Sequence, residues 1–305
     1  MLGISLSGLV AVLLGVGIWL HTPDRPRSEL EAVYAAPPSS FVEIAGLRLH
    51  LRDTGPRDAP TVILLHGFAS SLHTWDDWAT QLERDQRVIR YDQPGFGLTG
   101  ADPSGDYSDE RAINVLVALM DRLGVDHAAV VGHSMGGRIA WTFAALHPER
   151  VNHLVLMAPD GFASPGMQYG IAPKVPLMLR LLPAMLPRAM LRASLTPAFG
   201  DKSAMTDDLV QRYRDMMLAP GVRQAIVDRL PQTVLVDPEP MLRRITAPTL
   251  LLWGEKDGMV PIGNAADYLR YIPHATIERF TGLGHLLMEE APKRAIMPLQ
   301  RFFSP

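Results

Sequence analysis

Cysteine is absent from the 305-residue sequence, which excludes disulfides and thiolate nucleophiles and leaves the redox compartment unreadable. An excess of either charge is missing too. Lys and Arg number 29 against 32 Asp and Glu, a net charge of −3, and no dense basic cluster occurs, so a general nucleic-acid role is excluded. From Met1 to Leu20 there is no charged side chain at all, in an almost wholly apolar run of bilayer-spanning length. A basic n-region is lacking as well, which argues against a cleaved secretory signal. The expectation is a protein held at the membrane by an N-terminal helix over residues 1–20, with a secreted or periplasmic enzyme after signal cleavage as the alternative. Residues 21–40, with Pro23, Pro26, Pro37 and Pro38 among mixed charges, read as a linker.

What is present is a composition able to bury a large core, 47% hydrophobic and 20% charged. Residues 41–44 and 47–52, joined through Ala45-Gly46, read as an antiparallel hairpin. Thr61 to Leu65 is a continuous apolar run, as expected of a strand covered on both faces. Further strands are expected at Val88–Tyr91, Ala128–Val131, Val151–Met157, Leu250–Trp253 and Thr276–Phe280. Helices are expected from about Ser108, as N-cap, to Leu123, then over Arg138–Leu146, Ile262–Tyr271 and Ala291–Phe303. This alternation predicts an α/β fold with a mostly parallel eight-stranded sheet wrapped on both faces. Its core is assigned to residues 41–160 and 246–305.

Residues 161–245 interrupt the alternation with short helical patterns punctuated by prolines. The insertion leaves directly after the strand that follows the central one, where ligands of open α/β sheets bind, so it reads as a helical cap over a site. Its basic residues Lys174, Arg180, Arg188 and Arg192 read as the solvated edge of a helix pair. Eight of the fifteen methionines fall between Gly161 and Met241, which suits an adaptable apolar pocket and core filling equally.

The chemistry centres on Gly132-His133-Ser134-Met135-Gly136-Gly137. A strand precedes it and a helix follows, the context of a nucleophile elbow. A serine hydroxyl needs a general base, itself oriented by a third group. His285, in the Gly-rich loop Thr281 to His285 after the last strand, is the candidate base. Asp257, in the turn Trp253 to Pro261, is the preferred orienting acid, and Asp160 is the alternative. Ser134, Asp257 and His285 stand in the chain order of this triad. The backbone N–H groups of Met135 and Phe68 are the candidate oxyanion donors. His133 is expected to pack against the sheet, and His66 to order the loop that carries Phe68.

From Phe41 onward the sequence resembles the α/β-hydrolase superfamily, in its capped, cofactor-free serine branch. The matching pieces are His66-Gly67-Phe68, Asp92-Gln93-Pro94-Gly95-Phe96-Gly97, the elbow around Ser134, Asp257 with Val260-Pro261, and Gly284-His285. Haloalkane dehalogenases and epoxide hydrolases of that superfamily use an aspartate nucleophile, which Ser134 argues against. The related meta-cleavage-product (carbon–carbon) hydrolases often carry asparagine where this chain has His133. The resemblance implies an esterase or lipase-like enzyme acting on a small-molecule ester with an apolar acyl group, without cofactor or metal. A carbon–carbon hydrolase and a cofactor-free perhydrolase are the enzymatic alternatives, and a ligand-binding protein on the same fold is the non-enzymatic one.

Overall fold

The computed structural model describes residues 20–163 and 168–304. Eight strands form one sheet: β1 (Ser39–Ile44), β2 (Leu47–Thr54), β3 (Thr61–Leu65), β4 (Arg87–Tyr91), β5 (Ala128–His133), β6 (Val151–Met157), β7 (Thr249–Gly254) and β8 (Thr276–Phe280). Their spatial order is β1-β2-β4-β3-β5-β6-β7-β8. β1 and β2 pair antiparallel, as does β2 with β4; the remaining pairs are parallel.

Side chains of one strand alternate between the two faces, and here both faces are dry. Val62, Leu64, Val131, Val155 and Leu252 pack into one apolar layer. Their neighbours Ile63, Leu65, Val130, Leu154 and Leu251 pack into the other. Helices α1 (Arg27–Tyr34), α2 (Asp76–Leu82), α3 (Asp109–Arg122) and α4 (Met135–Leu146) accompany the first six strands, and α8 (Ala265–Tyr271) and α9 (Met297–Phe303) the last two. Ser108 caps α3 by accepting from Arg111 N at 3.1 Å, and Ile113, Leu116, Leu119 and Met120 bury its apolar stripe. The expected helix Ile262–Tyr271 opens as a 3₁₀ turn, Ile262–Asn264. The expected Ala291–Phe303 helix is broken into Pro292–Ala295 and α9, because Pro298 lacks the N–H that would bond Arg294 O. Between β6 and β7 the described residues hold α5 (Arg188–Leu195), α6 (Asp207–Met217) and α7 (Val222–Arg229), short 3₁₀ and helical turns, and no strand.

Two expectations about the N-terminal region are corrected. Against the expected membrane-anchored localisation, no helix among the described residues is long and apolar enough to cross a membrane. Residues 1–19 of the expected anchor lie outside the described residues. The stretch 21–40 is no free linker either. Leu30 is fully buried, and Arg27 donates to Leu98 O at 2.8 Å. Asp24 accepts from Arg223 Nη2 at 2.7 Å, and Arg25 Nη1 reaches Asp215 Oδ1 at 2.9 Å. This arm therefore lies across both the core and the insertion.

Candidate active site

Four loops meet beyond the carboxyl ends of β3, β5, β7 and β8, where open α/β sheets place their ligands. The loop after β5 is the tightest. Ser134 sits at φ 53°, ψ −119°, a conformation costly for any residue with a Cβ and typical of strained functional turns. α4 begins at Met135, three residues before the sequence pattern suggested. A Cβ on Gly136 would lie 2.4 Å from Leu65 O and 2.5 Å from His66 O, so the helix start is pressed against the β3 loop backbone.

After β8, His285 Nδ1–H donates to Asp257 Oδ2 at 2.7 Å, with the Asp257 side chain fully buried. The other Asp257 oxygen accepts from Met259 N and Val260 N, each at 2.8 Å. Asp160 is elsewhere: its carboxylate pairs with Arg138 Nη1 at 3.1 Å. The structure thus brings Asp257 to His285 and leaves Asp160 apart. Ser134 and His285 line the same small cavity, of about 90 Å³. No hydrogen bond joins the two side chains.

Phe68 and Met135 also stand at this site, and among the described residues neither backbone N–H has a hydrogen-bond partner. The Phe68 loop is held by a fully buried imidazole. His66 Nδ1–H donates to Gly67 O at 2.8 Å, and Nε2 accepts from Gln93 N at 2.9 Å. Burial lowers the His66 pKa, in keeping with this neutral tautomer. His133 lies beneath the site, donating Nε2–H to His285 O at 3.1 Å, with its ring 4.4 Å from the His285 ring. Burial, reinforced by the neighbouring His285, holds His133 well below its ordinary pKa.

These histidines predict a pH dependence of stability. His66 and His133 are depressed, and burial takes His73, behind the Phe68 loop, down to about 4. The unfolded chain, near 6.5, binds protons before the native state does, so stability is full above that value and falls as pH drops toward the folded values. His73 alone should cost about 2 kcal/mol at pH 5. Thermal unfolding should shift down by several degrees between pH 7.5 and pH 5; an unmoved midpoint would contradict the neutral assignments.

The insertion supplies the other wall of the cavity through Ser194, Leu195, Ala198 and Tyr213. Sequence reasoning singled out none of these, since nothing in the local pattern distinguishes them from other helix residues. Tyr213 donates to Glu289 at 3.4 Å, and Ser70 Oγ donates to Tyr213 at 3.4 Å, which ties the wall to the loops after β3 and β8. Burial raises the Tyr213 pKa far above its usual value, so it stays a neutral phenol.

A family model described as the alpha/beta hydrolase fold matches residues 60–292. The chain belongs to this family. It is 30% identical over 286 residues to a 2-hydroxy-6-oxononadienedioate/2-hydroxy-6-oxononatrienedioate hydrolase of Cupriavidus pinatubonensis, covering 88% of this chain and 96% of that one. It is 31% identical over 267 residues to a 2-hydroxy-6-oxo-6-phenylhexa-2,4-dienoate hydrolase of Burkholderia cepacia, covering 81% and 90%. Among solved structures, the meta-cleavage product hydrolase of Pseudomonas fluorescens IP01 matches with a TM-score of 0.73 at 25% identity, over 87% of this chain and 97% of that one. A membrane phospholipase A matches with a TM-score of 0.75 at 24% identity, over 97% and 96%, and shares the fold. The family and these relatives make the protein a hydrolase. The names of the relatives agree with the carbon–carbon alternative of the sequence reading better than with its ester reading.

Proposed function

We propose that this hydrolase cleaves uncharged carboxylic esters through an acyl-enzyme on Ser134. The observation that carries the reading is the cavity wall. Phe68, Leu195, Ala198, Tyr213, Met259 and Leu286 surround Ser134 and His285, and no Lys, Arg, Asp or Glu is among the described lining residues. Such a site suits an apolar acyl group and offers no cation to a substrate carboxylate.

In this reading His285 Nε2 takes the Ser134 proton as Oγ attacks the carbonyl carbon. Asp257 holds the Nδ1–H tautomer and stabilises the imidazolium. The N–H groups of Phe68 and Met135 receive the developing oxyanion. As the intermediate collapses, the proton passes from His285 to the departing alkoxide. Water, activated by the same imidazole, then attacks the acyl carbonyl and returns Ser134.

A second reading follows from the relatives, whose names place their substrates among dienoates and dienedioates. Here the same serine machinery would act on a ketone carbonyl and release a carbon leaving group. The two readings separate in one assay: a chromogenic ester series of increasing acyl length beside a 2-hydroxy-6-oxo-dienoate, each with the parent and Ser134→Ala. Turnover of esters with an optimum chain length, reduced about 10⁴- to 10⁶-fold in Ser134→Ala, is expected. Turnover of the dienoate alone would overturn the ester reading in favour of the second, and unchanged turnover of either substrate in Ser134→Ala would overturn the reading built on that substrate.

A further inference from the structure

Three backbone donors from two distant segments end on one carboxylate. Glu290 Oε2 accepts from Gly284 N at 2.8 Å and from Gly200 N at 3.1 Å, while Oε1 accepts from Asp201 N at 2.6 Å. Gly284 immediately precedes His285, and Gly200 and Asp201 belong to the insertion. The two segments meet again without Glu290. His285 N donates to Ala198 O at 2.7 Å and Leu286 N to the same oxygen at 3.3 Å. Gly258 N, next to Asp257, donates to Pro197 O at 3.1 Å. A Cβ on Gly284 would lie 2.4 Å from Ala198 O and 2.6 Å from Gly200 N, so the backbones are in direct contact. The insertion is therefore built into the loops that carry both Asp257 and His285.

Resting on the reading of His285 as base, we propose that Glu290 is a positioning residue: its carboxylate bolts the His285 loop to residues 200–201 of the insertion and thereby fixes where the imidazole stands. Glu290 is not among the residues lining the cavity, so its removal deletes no side chain that faces the substrate. The anion is suited to the task because a carboxylate accepts on both oxygens. A glutamine can present its carbonyl to Gly284 and Gly200, but its NH₂ group then faces the Asp201 N–H, donor against donor. Alanine leaves all three N–H groups without a partner.

The test compares the full-length parent with Glu290→Gln and Glu290→Ala on the best ester, following kcat, KM and the acid limb of kcat/KM. The low-field proton resonance of His285 Nδ1–H bound to Asp257 is recorded beside them. A drop in kcat of about tenfold for glutamine and about a hundredfold for alanine, with KM unchanged, is expected. A displaced or broadened low-field resonance should accompany it. Parent kcat, parent acid limb and parent resonance in a folded variant would overturn the proposal, leaving Glu290 a stability role only. If the alanine variant does not fold, the glutamine variant carries the test alone. His285→Ala, assayed alongside, separates the two failures. Turnover retained there would overturn the base reading, whereas the resonance reports the effect of Glu290 on the His285–Asp257 contact whether or not turnover depends on it.

Discussion

Asp257→Asn is expected to lower ester turnover by about 10⁴-fold while the fold stays intact. The geometry says why so small a change should cost so much. Oδ1 accepts from two backbone donors, Met259 N and Val260 N, so the amide oxygen of the asparagine is held there. Its NH₂ group is then turned toward His285 Nδ1. That forces the imidazole to carry its proton on Nε2, the nitrogen that accepts the Ser134 proton in the proposed mechanism. Asp160→Asn is the matched control. It loosens a contact to Arg138 that does not touch His285, and turnover should stay near that of the parent. Comparing kcat for the two variants decides between the carboxylates, and a large loss in Asp160→Asn with none in Asp257→Asn would reverse the assignment.

Glu289→Ala should be the most destabilising single substitution near the site, at about 3–5 kcal/mol. One carboxylate oxygen accepts from Thr74 Oγ1 at 2.7 Å, pairs with the Arg212 guanidinium and accepts from Tyr213 OH at 3.4 Å. Burial works against the Arg212 charge, and its neighbours, Glu289 foremost, more than offset it, so the arginine pKa ends above its ordinary value. Removing the acid leaves a largely buried cation and two hydroxyls without their partner. Denaturant unfolding should show the loss, and Glu289→Ala with Arg212→Met should recover much of it, because the stranded charge is gone. A single variant as stable as the parent would mean that water replaces the carboxylate at no cost. Glu289 and Glu290 are adjacent and should still separate in experiment, the first through unfolding and the second through kcat.

Most of the sheet was legible because its inner strands are short apolar runs with turn residues at both ends, and its outer ones are short segments between turns. Val151–Met157 and Thr276–Phe280 have the bounds read from the sequence. Ser108 announced its helix through local capping chemistry, which needs no tertiary information. Met135 did not, because Gly136 and Gly137 are poor helix formers, and the helix starts there only because the β3 loop packs against Gly136. Residues 21–40 were misread because prolines and mixed charges suggest a linker. Their partners stand far away in sequence, Asp24 bonding Arg223 and Arg25 bonding Asp215, and no local pattern encodes such a pair. Glu290 is invisible for the same reason, since all three of its partners are backbone groups whose identity is not written in any side chain.

The N-terminal arm also bears on how this protein could be re-engineered. Arg223 is 2% exposed and Asp215 4%, and each finds its opposite charge on the arm, at Asp24 and Arg25. This insertion grafted onto another core would bring both side chains without their partners on the arm. Trimming the chain to residue 36 would expose the same defect from the other side. Any exchange of residues 161–245 therefore has to carry residues 22–34 along, two pieces of sequence that must be inherited together.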